Sequence, residues 1–169
     1  FRTAAEHSMA GQVAEVYPQV RAGLEYAGYA LHISLNPALA EMWMRRHDSD
    51  DALRAVRKEF TPTTIRVSIA NVDANAAAIF DKLYQQSIDF GAHPNERAMT
   101  ASLAIKARED GGKEYQQKML HGDGLQMDYA LITTARAGVC SLEILQGAFP
   151  DRFREKGVTD GLHVLRRGL

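Results

Sequence analysis

Two stretches of apolar residues at helical spacing limit what this chain can become. In the first, Val13, Tyr17, Val20, Leu24, Ala27 and Leu31 step by four and three residues, which places them along one face of a helix over residues 12–33. In the second, Leu131, Ala135, Gly138, Leu142, Leu145 and Phe149 step in the same way. Small residues at Ala135, Ala137 and Gly138 permit close approach of a neighbouring helix there. The expected fold is mainly α: a helical bundle with two long seam helices, several short helices and one β-hairpin. Pro18 lies inside the first pattern and removes one helix hydrogen bond, so a kink, or a helix start near Tyr17, is expected.

Capping signals divide the region between the seams. Asn36-Pro37 reads as a cap followed by proline at the first helical position, opening a short helix with Leu39, Met42 and Trp43 inward and Arg45, Arg46 and His47 in its last turn. Ser49-Asp50-Asp51 caps a helix through about Phe60, with Leu53, Val56 and Phe60 on one side. Thr61-Pro62 repeats the cap-plus-proline signal, and Ile65, Ile69 and Val72 continue the apolar face. Asp73 caps a helix whose stripe is Ala76, Ile79, Phe80, Leu83, Tyr84, Ser87 and Ile88, and Gly91 is its stop.

After residue 98 the period changes to two. Met99, Ala101, Leu103, Ile105 and Ala107 alternate with Thr100, Ser102, Ala104, Lys106 and Arg108, which predicts a strand buried on one face. Asp110-Gly111-Gly112 is a tight-turn signal, and Tyr115–Leu120 is the expected return strand; the competing reading is two helices, because alanine and glutamate are frequent here. Asp123 caps the second long helix, Pro150 bends or ends it, and a short terminal helix follows Gly157 from Thr159-Asp160 to Arg166-Arg167. The 169 residues fit one helical-bundle domain, 1–169, with a hairpin insertion at about 98–121.

A net charge of −1 gives no electrostatic footprint for wrapping nucleic acid, which leaves room only for a local basic patch. The single cysteine, Cys140, excludes an internal disulfide and a multi-cysteine zinc site, and it suits a reducing compartment, so a cytoplasmic location is expected. No apolar run reaches the ~18 residues of a membrane span. Phe1 is not a start methionine and no signal peptide is visible, so the natural beginning of the chain is left open.

The candidate polar site lies beside the first seam and at the mid-chain bend. Arg21, Glu25, Gly28 and His32 each sit one position beyond a seam residue, forming a flanking row, and Arg21 and Glu25 are four apart on one helical face. One reading is an ion pair beside the core, contributing at most a few tenths of a kcal/mol. The other is a ligand pocket, with Gly28 leaving room for a ligand or another backbone. His93 follows the helix stop and precedes Pro94, which favours an extended conformation. It either hydrogen-bonds the last carbonyls of the helix or serves as acid, base or phosphate contact, and Asn95 stands beside it.

The Arg21-x-x-x-Glu25 pair in a first long helix, followed by a helix ending in Phe90-Gly91-Ala92-His93-Pro94, resembles a group of uncharacterised bacterial helical proteins. These in turn resemble the HEPN superfamily, helical domains that bind nucleotides or RNA and sometimes cleave RNA. The resemblance covers about residues 12–95, leaving out the hairpin and terminal helices. HEPN ribonucleases carry an arginine, four to six residues, then a histidine. Arg2-Thr3-Ala4-Ala5-Glu6-His7 has that spacing at the start of the chain, whereas Asp89–Pro94 has a histidine without an arginine at that distance before it. The resemblance implies a nucleotide or RNA ligand held where Arg21, Glu25 and His93 converge, with His32 nearby; Asn95 is a further ligand-binding candidate that could equally be a turn or cap residue, and no cofactor is expected.

No zincin motif, phosphate-binding glycine loop or nucleophile elbow is present, and Ser34, Ser68, Ser87, Ser102 and Ser141 have no local triad context. A zinc or manganese site from His93, His121 and Asp123 is a third, weaker reading. The second is a non-catalytic oligomeric interaction or scaffold protein. A homodimer is expected from the small-residue stripe on residues 131–149 and the free edges of a lone hairpin.

Overall fold

Capping side chains start three of the helices in the front of the chain where the sequence places them. The computed structural model describes residues 1–92, 96, 100 and 102–168. Helix α1 spans Arg2–Met9, α2 Val13–Leu35, α3 Ala38–Met44, α4 Asp50–Glu59, α5 Pro62–Val72 and α6 Ala74–Ser87. Ser49 Oγ accepts from the Ala52 N–H at 3.1 Å to start α4. Thr61 Oγ1 accepts from the Thr64 N–H at 3.2 Å to start α5, with Pro62 in its first turn. Asp73 Oδ1 accepts from the N–H groups of Asn75 and Ala76, at 2.8 and 3.0 Å, and so caps α6. These are side-chain acceptors supplied to orphan helix donors. Pro37 itself, not Asn36, takes the capping position of α3. That helix ends at Met44, so Arg45, Arg46 and His47 lie past its last turn. Met42 is exposed rather than inward.

A wide helical turn, Ile88–Ala92, follows α6. Strands β1 (Leu103–Ala107) and β2 (Lys113–Gln117) form an antiparallel hairpin in which Ile105 faces Tyr115. Then come α7 (Leu125–Ala148), α8 (Pro150–Glu155) and α9 (Val158–Leu165). The chain is therefore mainly α, with two long helices, short ones and one hairpin. Among the described residues, no helix is long and apolar enough to cross a membrane.

By its internal packing the chain divides into two compact units. One comprises Phe1–Ala22 and Leu83–Arg136, the other Gly23–Lys82 and Ala137–Leu169. Helices α2, α6 and α7 each give residues to both. In the first unit the buried side chains include Ala4 and Ser8 of α1, Val13, Val16, Tyr17 and Val20 of α2, Leu83, Tyr84 and Ser87 of α6, Ser102, and Ala130, Thr133 and Thr134 of α7. The buried hydroxyls are satisfied: Ser8 Oγ donates to the Ala4 carbonyl at 2.8 Å and lies 2.7 Å from Thr134 Oγ1, as buried polar groups require. In the second unit Leu24, Leu31, Ile65, Ile69, Phe80 and Ile144 are almost wholly buried. Tyr29, Trp43 and Phe60 form an aromatic cluster with centroid separations of 4.8–5.3 Å. The expected space at Gly28 is taken by Ile65: a Cβ there would meet Ile65 Cγ2 at 2.3 Å.

All six seam residues of α2 are buried. The interior of α7 follows the expected row only in part: Gly138 is buried, and Ala135, Leu142 and Leu145 are half-buried. Ala130, Thr134, Ala137 and Ile144 face inward with Thr133 and Cys140, whereas Leu131 and Phe149 are exposed. This helix is apolar on more than one side, so spacing alone does not say which of two adjacent rows is covered. The hairpin also departs from expectation. Leu103 and Ile105 lie on the face predicted to be buried and are 40% and 58% exposed, while Met99 and Ala101 fall outside the described residues.

Candidate functional site

The first unit contains a cavity of about 460 Å³ lined mainly by apolar and aromatic side chains. Pro18 sits inside α2 rather than starting it. Without an N–H, Pro18 cannot bond the carbonyl four residues earlier, and that carbonyl belongs to Ala14, a lining residue. Val13 and Tyr17 line the same side. Gly91 closes in from the turn after α6. Its φ of +152° belongs to glycine, and a Cβ there would stand 3.1 Å from the Ala14 carbonyl oxygen.

The glycine turn places Phe90 between two tyrosines. The Tyr17 and Phe90 rings stack at 5.4 Å with an interplanar angle of 29°, and Phe90 meets Tyr129 of α7 at 5.3 Å and 56°. These separations lie in the attractive range for aromatic pairs. Burial, and secondarily the neighbouring Tyr129, push the Tyr17 phenol well above the usual tyrosine range. Tyr17 is therefore a neutral O–H donor at any physiological pH.

The opposite wall comes from the start of α7 and from the hairpin base. Leu125 and Gln126 line the cavity, and the first hydrogen bond of α7 runs from the Asp128 N–H to the Gly124 carbonyl at 3.0 Å. The N–H groups of Leu125 and Gln126 thus precede the helix ladder and have no intrahelical acceptor. Ser102 is the remaining wall residue. The Lys118 N–H donates to its carbonyl at 2.7 Å, extending the hairpin ladder one rung past β1. Its hydroxyl lies 3.3 Å from Nε2 of His121. The His121 N–H donates to the Gly11 carbonyl at 2.8 Å. Gly11 has φ +72°, and a Cβ on it would fall 2.1 Å from the His121 carbonyl oxygen. The His121 main chain is thereby held against Gly11.

The residues singled out from the sequence are placed as follows. Arg21 belongs to the first unit, half-buried, with its guanidinium 5.1 Å above the Tyr84 ring, a cation–π geometry. Glu25 and His32 belong to the second. His32 is 92% buried: Nδ1 is 2.8 Å from Ser68 Oγ, Nε2 is 3.3 Å from a Glu59 carboxylate oxygen, and the ring meets the edge of Phe60 at 5.3 Å. That is a packed environment in the aromatic cluster. His93 and Asn95 lie outside the described residues. Among the described residues no group of three or more histidine, cysteine, aspartate or glutamate side chains is placed to hold a metal ion.

The cavity residues Tyr17, Phe90, Ser102, Gln126 and Tyr129 were missed by sequence reasoning. Two signals pointed to them: a proline inside a helical seam, which frees a carbonyl, and a Phe-Gly pair at a helix stop. No protein-family model, curated protein or solved structure matches the chain.

Proposed function

We propose that the first unit is a receptor for a small, uncharged, largely apolar molecule with a flat ring. The observation that carries this reading is the 460 Å³ cavity with the Tyr17–Phe90–Tyr129 ring series on its wall. Its size and lining, apolar with a few convergent polar groups, are those of a small-molecule pocket. The rings supply flat surfaces. The Tyr17 hydroxyl and Gln126 amide supply polar handles, and the Ala14 carbonyl freed by Pro18 supplies an acceptor. Among the described lining residues no side chain is charged, so a neutral ligand is favoured over an anion.

The same rings support a second reading, a nucleotide or RNA ligand of HEPN-like type, because base stacking on aromatic side chains tolerates any base. In that reading the base enters the cavity and the phosphate is held elsewhere, with Arg21 as the cation in the same unit. The exposed hairpin face of Leu103, Ile105 and Tyr115 supports the alternative of a self-associating scaffold.

Ligand-observed NMR with 1-naphthol, adenosine and adenosine monophosphate separates these readings. Saturable binding of 1-naphthol, with the nucleoside and nucleotide weaker, supports the neutral-ligand receptor. Preferential binding of the monophosphate supports the nucleotide reading. Binding of none of the three removes both and leaves the scaffold.

A further inference from the structure

Two serine–imidazole pairs exist among the described residues. The Ser68–His32 pair is packed against the Phe60 ring, both members being more than nine-tenths buried. The Ser102–His121 pair is different, because Ser102 forms part of the wall of a cavity large enough for a small organic molecule. The contacting nitrogen is Nε2, Ser102 as a whole residue is 94% buried, and the His121 main chain is tied to Gly11. A hydroxyl within reach of a neutral imidazole nitrogen is the minimal arrangement for an activated oxygen nucleophile. Separations slightly longer than an ideal hydrogen bond are usual before substrate arrives. Leu125 and Gln126, whose N–H groups precede the α7 ladder, line the cavity with Ser102, at the end of a 24-residue helix where partial positive charge favours a developing anion.

We propose that Ser102 and His121 form a catalytic dyad that hydrolyses small, uncharged esters of apolar carboxylic acids bound in this cavity. The proposal rests on the receptor reading above and adds a reaction to it. Ser102 Oγ attacks the ester carbonyl carbon as His121 Nε2 takes the hydroxyl proton. A C–O bond forms, and the carbonyl π pair moves onto the oxygen, which faces the first-turn N–H groups at Leu125 and Gln126. Collapse of this tetrahedral species breaks the bond to the leaving alcohol, which departs with the proton returned by His121. Water then attacks the acyl-serine, giving its proton to His121, and the carboxylic acid leaves as the Ser102 hydroxyl is restored. The sum is ester plus water to acid plus alcohol. The apolar lining admits the acyl and alcohol groups and excludes ionised substrates. The Tyr17 and Tyr129 rings flank the bound group and orient it.

The test uses the whole chain with a fluorophosphonate probe, 4-nitrophenyl hexanoate as substrate, and 1-naphthol binding measured in parallel. Ser102 Oγ is expected to displace fluoride from the probe, and the adduct should map to the tryptic peptide 98–106 at Ser102. Nitrophenolate release should fall roughly a hundredfold or more in Ser102→Ala and His121→Gln, and 1-naphthol should block it competitively. Should Ser102→Ala fail to fold, the adduct position on the unaltered protein decides. A probe adduct elsewhere, no adduct at all, or ester hydrolysis unchanged in a folded Ser102→Ala protein overturns the dyad. If those results come with intact 1-naphthol binding, only the reaction is lost. Absence of 1-naphthol binding instead removes the receptor reading.

Discussion

The Gly11 carbonyl accepts the His121 N–H at 2.8 Å, and the Gly11 α-carbon sits so close that an added Cβ would fall 2.1 Å from the His121 carbonyl oxygen. The turn between the first two helices thus fixes the loop after the hairpin. Gly11→Ala meets both a left-handed φ of +72° and a backbone clash that no rotamer relieves. It should destabilise the protein by about 2 kcal/mol or more. Urea unfolding measures this. A loss indistinguishable from an exposed Ala-for-Gly change would show that the contact is not formed.

Phe90 is the middle ring of three, so its removal takes away two ring contacts at once. Phe90→Ala should weaken 1-naphthol binding about tenfold, the equivalent of ~1.4 kcal/mol. Tyr17→Phe keeps the ring and removes only the neutral O–H, and it should cost less. Calorimetric titration of the three proteins gives the order; equal affinities would place the ligand elsewhere.

Burial raises the Cys140 thiol from an ordinary value near 9 to about 12, with Glu143 and Asp73 adding to the effect. Less than about one thiol in a thousand is then ionised at pH 8, so the native protein should resist iodoacetamide and react only on unfolding. The sign of the stability change follows. The folded chain holds this proton more tightly than the unfolded chain, so the stabilisation is complete below pH 9 and fades as pH climbs toward 12. Tyr17, raised by burial and Tyr129, acts in the same direction. Denaturation midpoints should fall over that alkaline window; midpoints that rise there would reverse the sign.

His32 contacts Ser68, Glu59 and Phe60 in a nearly closed environment. Replacing it with alanine leaves the Ser68 hydroxyl without its ring partner and should cost about 1–3 kcal/mol. Thermal unfolding that is unchanged or improved would instead suggest a residue kept for ligand contact.

Much of the fold was legible because its signals are local. Ser49, Thr61 and Asp73 cap the helices they announce, and Asp110-Gly111-Gly112 turns the hairpin, with the Gly112 N–H donating to Asp110 Oδ1 at 2.9 Å. The seam of α2 is read correctly, all six of its residues being buried. That of α7 is read only in part, since Leu131 and Ala130 are both apolar and only tertiary packing selects between them. The hairpin was read correctly as a hairpin, but its burial was not, because period two fixes which residues share a face and not whether anything covers that face. The Ser102–His121 pair lay hidden for a related reason. Nineteen residues separate the two, and they meet only because the register pairing Leu103 with Gln117 carries Ser102 opposite Lys118, three residues before His121.

The most direct measurement is calorimetric titration of 1-naphthol into the unaltered protein and into Ala14→Trp, whose indole would occupy the cavity from an exposed position on α2. We predict saturable one-to-one binding, with a negative heat-capacity change, to the unaltered protein, and none to the variant at unchanged thermal stability. Equal binding by the two proteins, or no saturable binding by either, would contradict the assignment of this cavity as the ligand site.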